Sequence, residues 1–330
     1  MKPFTGAKPS WQDGGSSESR PCAARPIAVT AKSRLSHFRP TCYTSSPMHA
    51  EHPSILMFPR APAAPEPGFD LTVVVPAYNE ASRLPRALDG LAAWCASQDL
   101  AIEVLVVDDG SRDATARAAA AHPLGCGVVR LTHNAGKGAA VRTGMRLGRG
   151  RIVAFTDADL PYDLAALRWG CDVIAAGIAD VVYGGRDLDG SVESVVRSAA
   201  RSLASRCFRT ITRHLIARDV GDTQCGLKVF HRDAARDIFS RVQTDGFAFD
   251  AEAILVARRL GYASARVPVR LVNEAGSTVS LRRHAPAMVR DIVAARLRHG
   301  ISAGPATAPV PSHEVLQAAA PRVLPGRRAA

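Results

Sequence analysis

Between about residues 70 and 300 the sequence predicts an α/β fold: a mostly parallel central sheet with helices on both faces. Three observations carry this. Short apolar runs alternate with Ala-rich segments of helical spacing, the pattern of strand–helix–strand units. The runs are hydrophobic throughout, as strands covered on both faces must be. Acidic residues stand directly after three of the runs, at the edge where such sheets bind ligands.

The elements follow in order. LTVVV at 71–75 opens the sheet, and an Ala-rich helical segment spans about 80–97. EVLVV at 103–107 is the second strand and 113–121 the second helix; Asp or Ser in the intervening DDGS is suited to start that helix. GVVRL at 127–131 precedes a helix over 137–148, and IVAFT at 152–156 precedes one over 162–178. VVY at 181–183 is the fifth strand.

Three strand ends therefore share one rim: Pro76, Tyr78 and Glu80 after the first, Asp108-Asp109-Gly110-Ser111 after the second, and Asp157-Ala158-Asp159 after the fourth. In extended chain, positions i and i+2 share a face, so Asp157 and Asp159 sit side by side. Like charges that close repel unless a cation lies between them. The pair is either solvated at a strand end or holds a metal. The convergence of acids, with the basic segment HNAGKGAAVR nearby, favours a divalent cation that arrives with a diphosphate. Hard carboxylate oxygens suit Mg2+ or Mn2+.

Composition bounds the rest. The chain has 330 residues and is 47% hydrophobic, ordinary for a globular protein. Its net charge of +12 implies attraction to phosphate, nucleic acid or an anionic membrane surface. Aromatic residues make up only 5%, with no aromatic-rich basic patch for base stacking, so nucleic acid is not the expected partner. Seven scattered cysteines without a CxxC pair read as reduced thiols of a cytoplasmic protein. No run of 18 apolar residues suggests a spanning helix. Residues 1–67, rich in Pro, Ser, Ala and Arg, are expected to be a disordered extension, with a transit peptide or a physiological start at Met48 or Met57 as the readings of it. The expected folded domain is 68–302, and 303–330 an Ala/Pro/Arg-rich tail.

VVVPAYNEASRL, VLVVDDGSRDAT, NAGKGAAVRTGM and TDADL, in that order and spacing, resemble the inverting nucleotide-sugar glycosyltransferases of family 2, which have the GT-A fold. VVYGGRDL, GDTQCGLKVFHRDAARDIF, GFAFDAEAILVARRLGY and VPVRLVNEAGSTVS sharpen the resemblance to the dolichyl- and polyprenyl-phosphate β-glucosyltransferases within it. The resemblance spans about 70–300 and implies UDP-glucose as donor and a polyprenyl phosphate as acceptor. It implies that Pro76, Tyr78 and Glu80 line the nucleotide pocket, that Asp108 or Asp109 contacts the base, and that Asp157 and Asp159 hold the metal on the donor diphosphate. Lys137 is expected near the nucleotide or closing the site. Four positions depart from the pattern: Gly246 and Phe247 before AFD, Leu271 where Trp is common, and Pro161 after DADL.

The second half is furnished for anions. Arg186, Arg197, Arg201, Arg206, Arg209 and Arg213 include two i,i+4 pairs on one helix surface, beside an apolar stripe. Arg186, Arg201 and Arg209 are the expected acceptor-phosphate residues, binding through forked contacts. Asp222 and Gln224 are expected beside the donor sugar or acceptor phosphate, with Cys225 a packed thiol. Asp250 either binds sugar hydroxyls, serves as base for a hydroxyl acceptor, or caps the helix it begins. A phosphate acceptor is already ionised and needs orientation more than proton removal. Residues 285–301 place Val289, Ile292, Val293 and Leu297 on one helical face, either against the domain or at an anionic membrane on its cytoplasmic side. The competing readings are a hydroxyl acceptor, or a non-catalytic module that binds anionic lipid or nucleotide.

Overall fold

The computed structural model describes residues 55–57, 68–191, 210, 212, 214–216, 222–272, 281–300 and 307. One eight-stranded sheet runs through it, in the order β1-β4-β3-β2-β5-β7-β6-β8. The strands are β1 (Ile55–Met57), β2 (Leu71–Ala77), β3 (Ile102–Asp108), β4 (Gly127–Leu131), β5 (Ile152–Phe155), β6 (Val181–Gly185), β7 (Lys228–His231) and β8 (Ser264–Pro268). The described helices are α1 (Leu84–Ala96), α2 (Thr115–Ala121), α3 (Lys137–Leu147), α4 (Ala165–Ala175), α5 (Arg232–Phe239), α6 (Phe249–Arg259) and α7 (Leu281–His299). Helices α1 and α4 are shorter than expected: α1 starts only after the Glu80–Arg83 turn, with Pro85 in its first turn, where a missing N–H costs nothing.

Strands β2 to β5 are parallel, and β6 and β8 pair parallel to each other. β7 lies between β5 and β6 and runs against both. Residues Ile55–Met57, inside the segment expected to lack regular structure, pair antiparallel with β4. The alternating side chains of β2 divide the core: Leu71, Val73 and Val75 face α1, α2 and α4, whereas Val74 faces α3, α5 and α6. Full burial of the strands on both faces is why they read as unbroken apolar runs.

The reversal of β7 positions the site. Its first residue, Lys228, pairs with Phe155 at the end of β5 and with Tyr183 in β6. The loop before β7, Asp222–Leu227, therefore reaches the rim on which β2, β3, β5 and β6 end.

Helix α7 packs differently from expectation. It buries Met288, Ile292 and Ala295, while Val293 is 41% and Leu297 80% exposed. With 3.6 residues per turn, adjacent positions differ by about 100°, so the stripe 288/292/295 faces the core and 293/297 turns away from it. Among the described residues no helix is long and apolar enough to cross a membrane.

Candidate active site

The rim is built from four loops. After β2, Asn79 takes a left-handed φ of 55°, a conformation Asn tolerates better than most side chains. That turn lets the Asn79 N–H donate to Ser111 Oγ at 2.9 Å, and Asn79 Oδ1 accept from the Arg112 N–H at 2.9 Å. The Glu80 N–H donates to Thr115 Oγ1 at 2.8 Å, so the first two loops are knit together. Pro76 is buried and Tyr78 is 39% exposed. The Glu80 carboxylate is held by Arg83 in a fork, at 2.7 and 2.5 Å.

Asp108 and Asp109 are both buried and carry different loads. Asp108 Oδ1 accepts the Ser111 N–H at 3.0 Å, and its Oδ2 lies 3.3 Å from Arg130 Nε. Asp109 accepts the N–H groups of Ala135 and Gly136, at 2.8 and 2.9 Å. Burial pushes the Asp109 carboxyl up, partly offset by those two N–H groups. Asp109 thus fixes the loop that leads into α3.

Lys137, the first residue of α3, reaches across to Asp157, with Nζ 2.6 Å from Oδ1. Burial acts to lower its pKa, but Asp157, Asp250 and Asp159 outweigh this and hold the ammonium above its ordinary value. Burial and the neighbouring Asp157 push the Asp159 carboxyl up, while Lys137 and Arg83 pull it down. Asp157 and Asp159 lie past the end of β5, where the Leu160 N–H closes a turn onto the Asp157 carbonyl at 3.0 Å. It is this turn and not the expected extended chain that carries the acid pair, and a lysine sits at Asp157.

The loop before β7 closes on the same point. A Cβ at Gly226 would collide with the Asp157 carboxylate, so only glycine lets the backbone pass there. Arg186, at the end of β6, forks onto Asp222 with Nε–Oδ2 2.6 Å and Nη2–Oδ1 2.8 Å. Burial alone would raise the Asp222 carboxyl, yet Arg186 holds it at about 2. Arg186 therefore spends one edge of its guanidinium inside the protein. Gln224 Nε2 is buried with no hydrogen-bond partner among the described residues. A buried amide donor left unpaired costs about 1–3 kcal/mol, so it suits a ligand oxygen. Cys225 is fully buried and its thiol is pushed up to about 12, which suits a packed thiol.

Asp250 is 3% exposed and its Oδ1 lies 2.6 Å from Lys228 Nζ, which also donates to the Cys225 carbonyl at 2.7 Å. Burial pushes this carboxyl up, against the pull of Lys228 and Lys137. No side chain caps α6, so Asp250 does not serve as its cap. Lys228 is the residue of this rim that sequence reasoning passed over. A lysine inside the apolar run LKVF must find a buried anion, and that was the available signal. Arg197, Arg201, Arg206, Arg209 and Arg213 lie outside the described residues.

Hard oxygen donors, mutual repulsion at Asp159 and a half-buried rim position fit a divalent cation at Asp157 and Asp159. Among the described residues no third His, Cys, Asp or Glu joins them. A substrate and water would have to supply the remaining ligands, as is usual for Mg2+.

A mostly parallel sheet whose strand-end acids face a glycine-rich helix start fits the GT-A class of glycosyltransferase, and comparison with known proteins agrees. The family described as glycosyl transferase family 2 matches residues 72–239, and the chain belongs to that family. Similar proteins include the dolichyl-phosphate beta-glucosyltransferase of Drosophila melanogaster, 34% identical over 233 residues, covering 65% of this chain and 70% of the relative. The human dolichyl-phosphate beta-glucosyltransferase is 31% identical over 249 residues, covering 71% and 76%. Glucosyl-3-phosphoglycerate synthase from Mycobacterium tuberculosis, solved with Mn2+ and UDP-glucose, shares the fold with a TM-score of 0.51 at 21% identity, covering 71% of this chain and 80% of that one.

Proposed function

We propose that the protein is a hexosyltransferase that moves glucose, with inversion, from UDP-glucose to a polyprenyl phosphate at an anionic membrane surface. The dolichyl-phosphate beta-glucosyltransferases at 31–34% identity support this reading of donor and acceptor. One observation about the chain itself carries it. The two buried acids of the second-half rim, Asp222 and Asp250, are each locked to a cation, Arg186 and Lys228. A hydroxyl acceptor needs a carboxylate free to take its proton, whereas an ionised phosphate needs none. The hydroxyl-acceptor alternative would require Asp250 to leave Lys228 inside the protein, exposing two buried charges.

In this reading Pro76, Tyr78 and Glu80 line the nucleotide pocket, and Asp108 and Asp109 brace its loops. Asp157 and Asp159 hold Mg2+ or Mn2+, which when bound neutralises the leaving diphosphate. Gln224 donates to a sugar or phosphate oxygen. Arg201 and Arg209 neutralise the acceptor phosphate, and Arg186, its charge balanced by Asp222, donates to it from the remaining nitrogen of its guanidinium. Exposed Val293 and Leu297, with the exposed Arg290 on the same helix, form the surface that meets the membrane on its cytoplasmic side.

The test is a donor screen: release of UDP or GDP from their glucose, mannose and galactose conjugates, with and without polyprenyl phosphate. Release of UDP from UDP-glucose that rises at least tenfold with the lipid phosphate is expected. Equal release with free glycan hydroxyls as acceptors would move the hydroxyl reading to first place.

A further inference from the structure

The loop carrying Lys137 is fixed on several sides. Asp109 takes the N–H groups of Ala135 and Gly136, and the Gly138 N–H donates to the Asp245 carbonyl at 2.7 Å. Gly136 has φ +106° and its hydrogen faces that same carbonyl, where a Cβ would clash. The side chain is launched from this clamped point onto Asp157 at 2.6 Å, a quarter exposed. It therefore supplies a permanent positive charge at the acid pair, and its position is set by backbone contacts that no surface lysine would need.

We propose that Lys137 is a resident cation that shares the Asp157–Asp159 pair with the divalent ion and keeps the affinity for that ion low until a diphosphate is present. This rests on the reading of the pair as the metal site. The ammonium occupies Asp157 Oδ1 and so competes with a divalent ion for that carboxylate, and a bound diphosphate gives the ammonium a second anion to turn to, which frees Oδ1 for the ion. The ion and the nucleotide then bind together and leave together. With the two acids alone, a tightly held ion would retain the product nucleotide and slow its release. Lys137 is thus a positioning residue for charge, acting on the ion through Asp157.

The probe is Mn2+ alone, titrated into the full chain and followed by the electron-paramagnetic signal of the free ion, then repeated with UDP. Lys137→Met is expected to bind Mn2+ alone about tenfold tighter than the parent, from the loss of one like charge at close range. It is also expected to lose most of the gain in Mn2+ affinity that UDP confers on the parent. Lys137→Arg keeps the charge and should stay within about threefold of the parent in both titrations. Thermal melting of each variant checks that the fold is intact. If Lys137→Met binds Mn2+ equally or more weakly while Asp159→Asn abolishes binding, the metal site stands and the role given to Lys137 is overturned. If Asp159→Asn leaves Mn2+ binding unchanged, the metal site itself falls, and the inference with it.

Discussion

On the first half of the sheet, β2 to β5, five rim carboxylates meet three cations: Arg83 holds Glu80, Arg130 reaches Asp108, Lys137 sits at Asp157, and Asp109 leans on main-chain N–H groups alone. On the second half, β6 to β8, each buried carboxylate among the described residues has its own cation. Asp109 is held by two backbone N–H groups, and Asp157 shares Lys137 with the neighbouring Asp159. Asp222 has Arg186, Asp250 has Lys228, and Glu252 has Arg298 at 2.7 Å and His299 at 2.8 Å. The first half is left with negative charge that a metal and its diphosphate can use. The second is balanced internally and gains rigidity. In the proposed reading the first half is the donor side, which accepts and releases ions, and the second is the acceptor side, which holds its shape.

Replacing Asp159 tests the donor side most severely. Asp159→Ala is expected to lower turnover by at least about a hundredfold, in line with the loss of a main charge-stabilising group. Because burial and Asp157 already push this carboxyl up, removing it should leave the melting temperature at or above that of the parent. A variant of parental activity would show that the two halves do not divide the work in this way.

On the acceptor side the expected effect is on stability. Lys228→Met and Asp250→Asn should each cost about 3–5 kcal/mol, because each leaves a buried charge or its partner alone. The double variant should cost clearly less than the sum, since no orphan charge remains. Urea unfolding of the three variants measures this, and additive losses would mean that the ion pair is not a unit.

Acid sensitivity gives a smaller effect. Arg186 holds Asp222 at about 2, below its unfolded value, so the pair contributes stability above the unfolded value and loses it as pH falls toward 2. The contribution is about 2 kcal/mol. Asp222→Asn should therefore flatten the stability curve between about pH 4 and pH 2, where an unpaired carboxylate titrates. Chemical unfolding across that range checks it.

The smallest effect belongs to the outer face of α7. Leu297→Ser should change stability by less than about 0.5 kcal/mol, because the side chain is 80% exposed. It should weaken binding to vesicles of mixed neutral and anionic lipid by a few fold. Unchanged vesicle binding would remove α7 from the membrane surface.

Much of the donor side was legible because its determinants are local. Each strand is one apolar run and each acid follows its strand within a few residues, so Asp108, Asp109, Asp157 and Asp159 could be placed on one rim from order alone. The acceptor side depends on pairings distant in sequence: Arg186 with Asp222, 36 residues on, and Lys228 with Asp250, 22 residues on. Nothing in a short window reveals that β7 runs backward, yet that reversal delivers Gly226 to Asp157 and Lys228 to Asp250. Asp250 read as a free acid because its partner belongs to another element. The apolar face of α7 was misjudged by one residue, since Val293 and Leu297 are as hydrophobic as the stripe that packs.

An anionic acceptor is expected of a second half whose described buried acids, Asp222, Asp250 and Glu252, are all paired with cations. The most direct measurement is the product formed from UDP-glucose, Mn2+ and a polyprenyl phosphate, with the anomeric linkage read by proton and phosphorus NMR. A β-linked glucosyl phosphodiester of the lipid is the expected product. An α-linked product, or glucose joined to a hydroxyl while the lipid phosphate stays unmodified, would contradict the account.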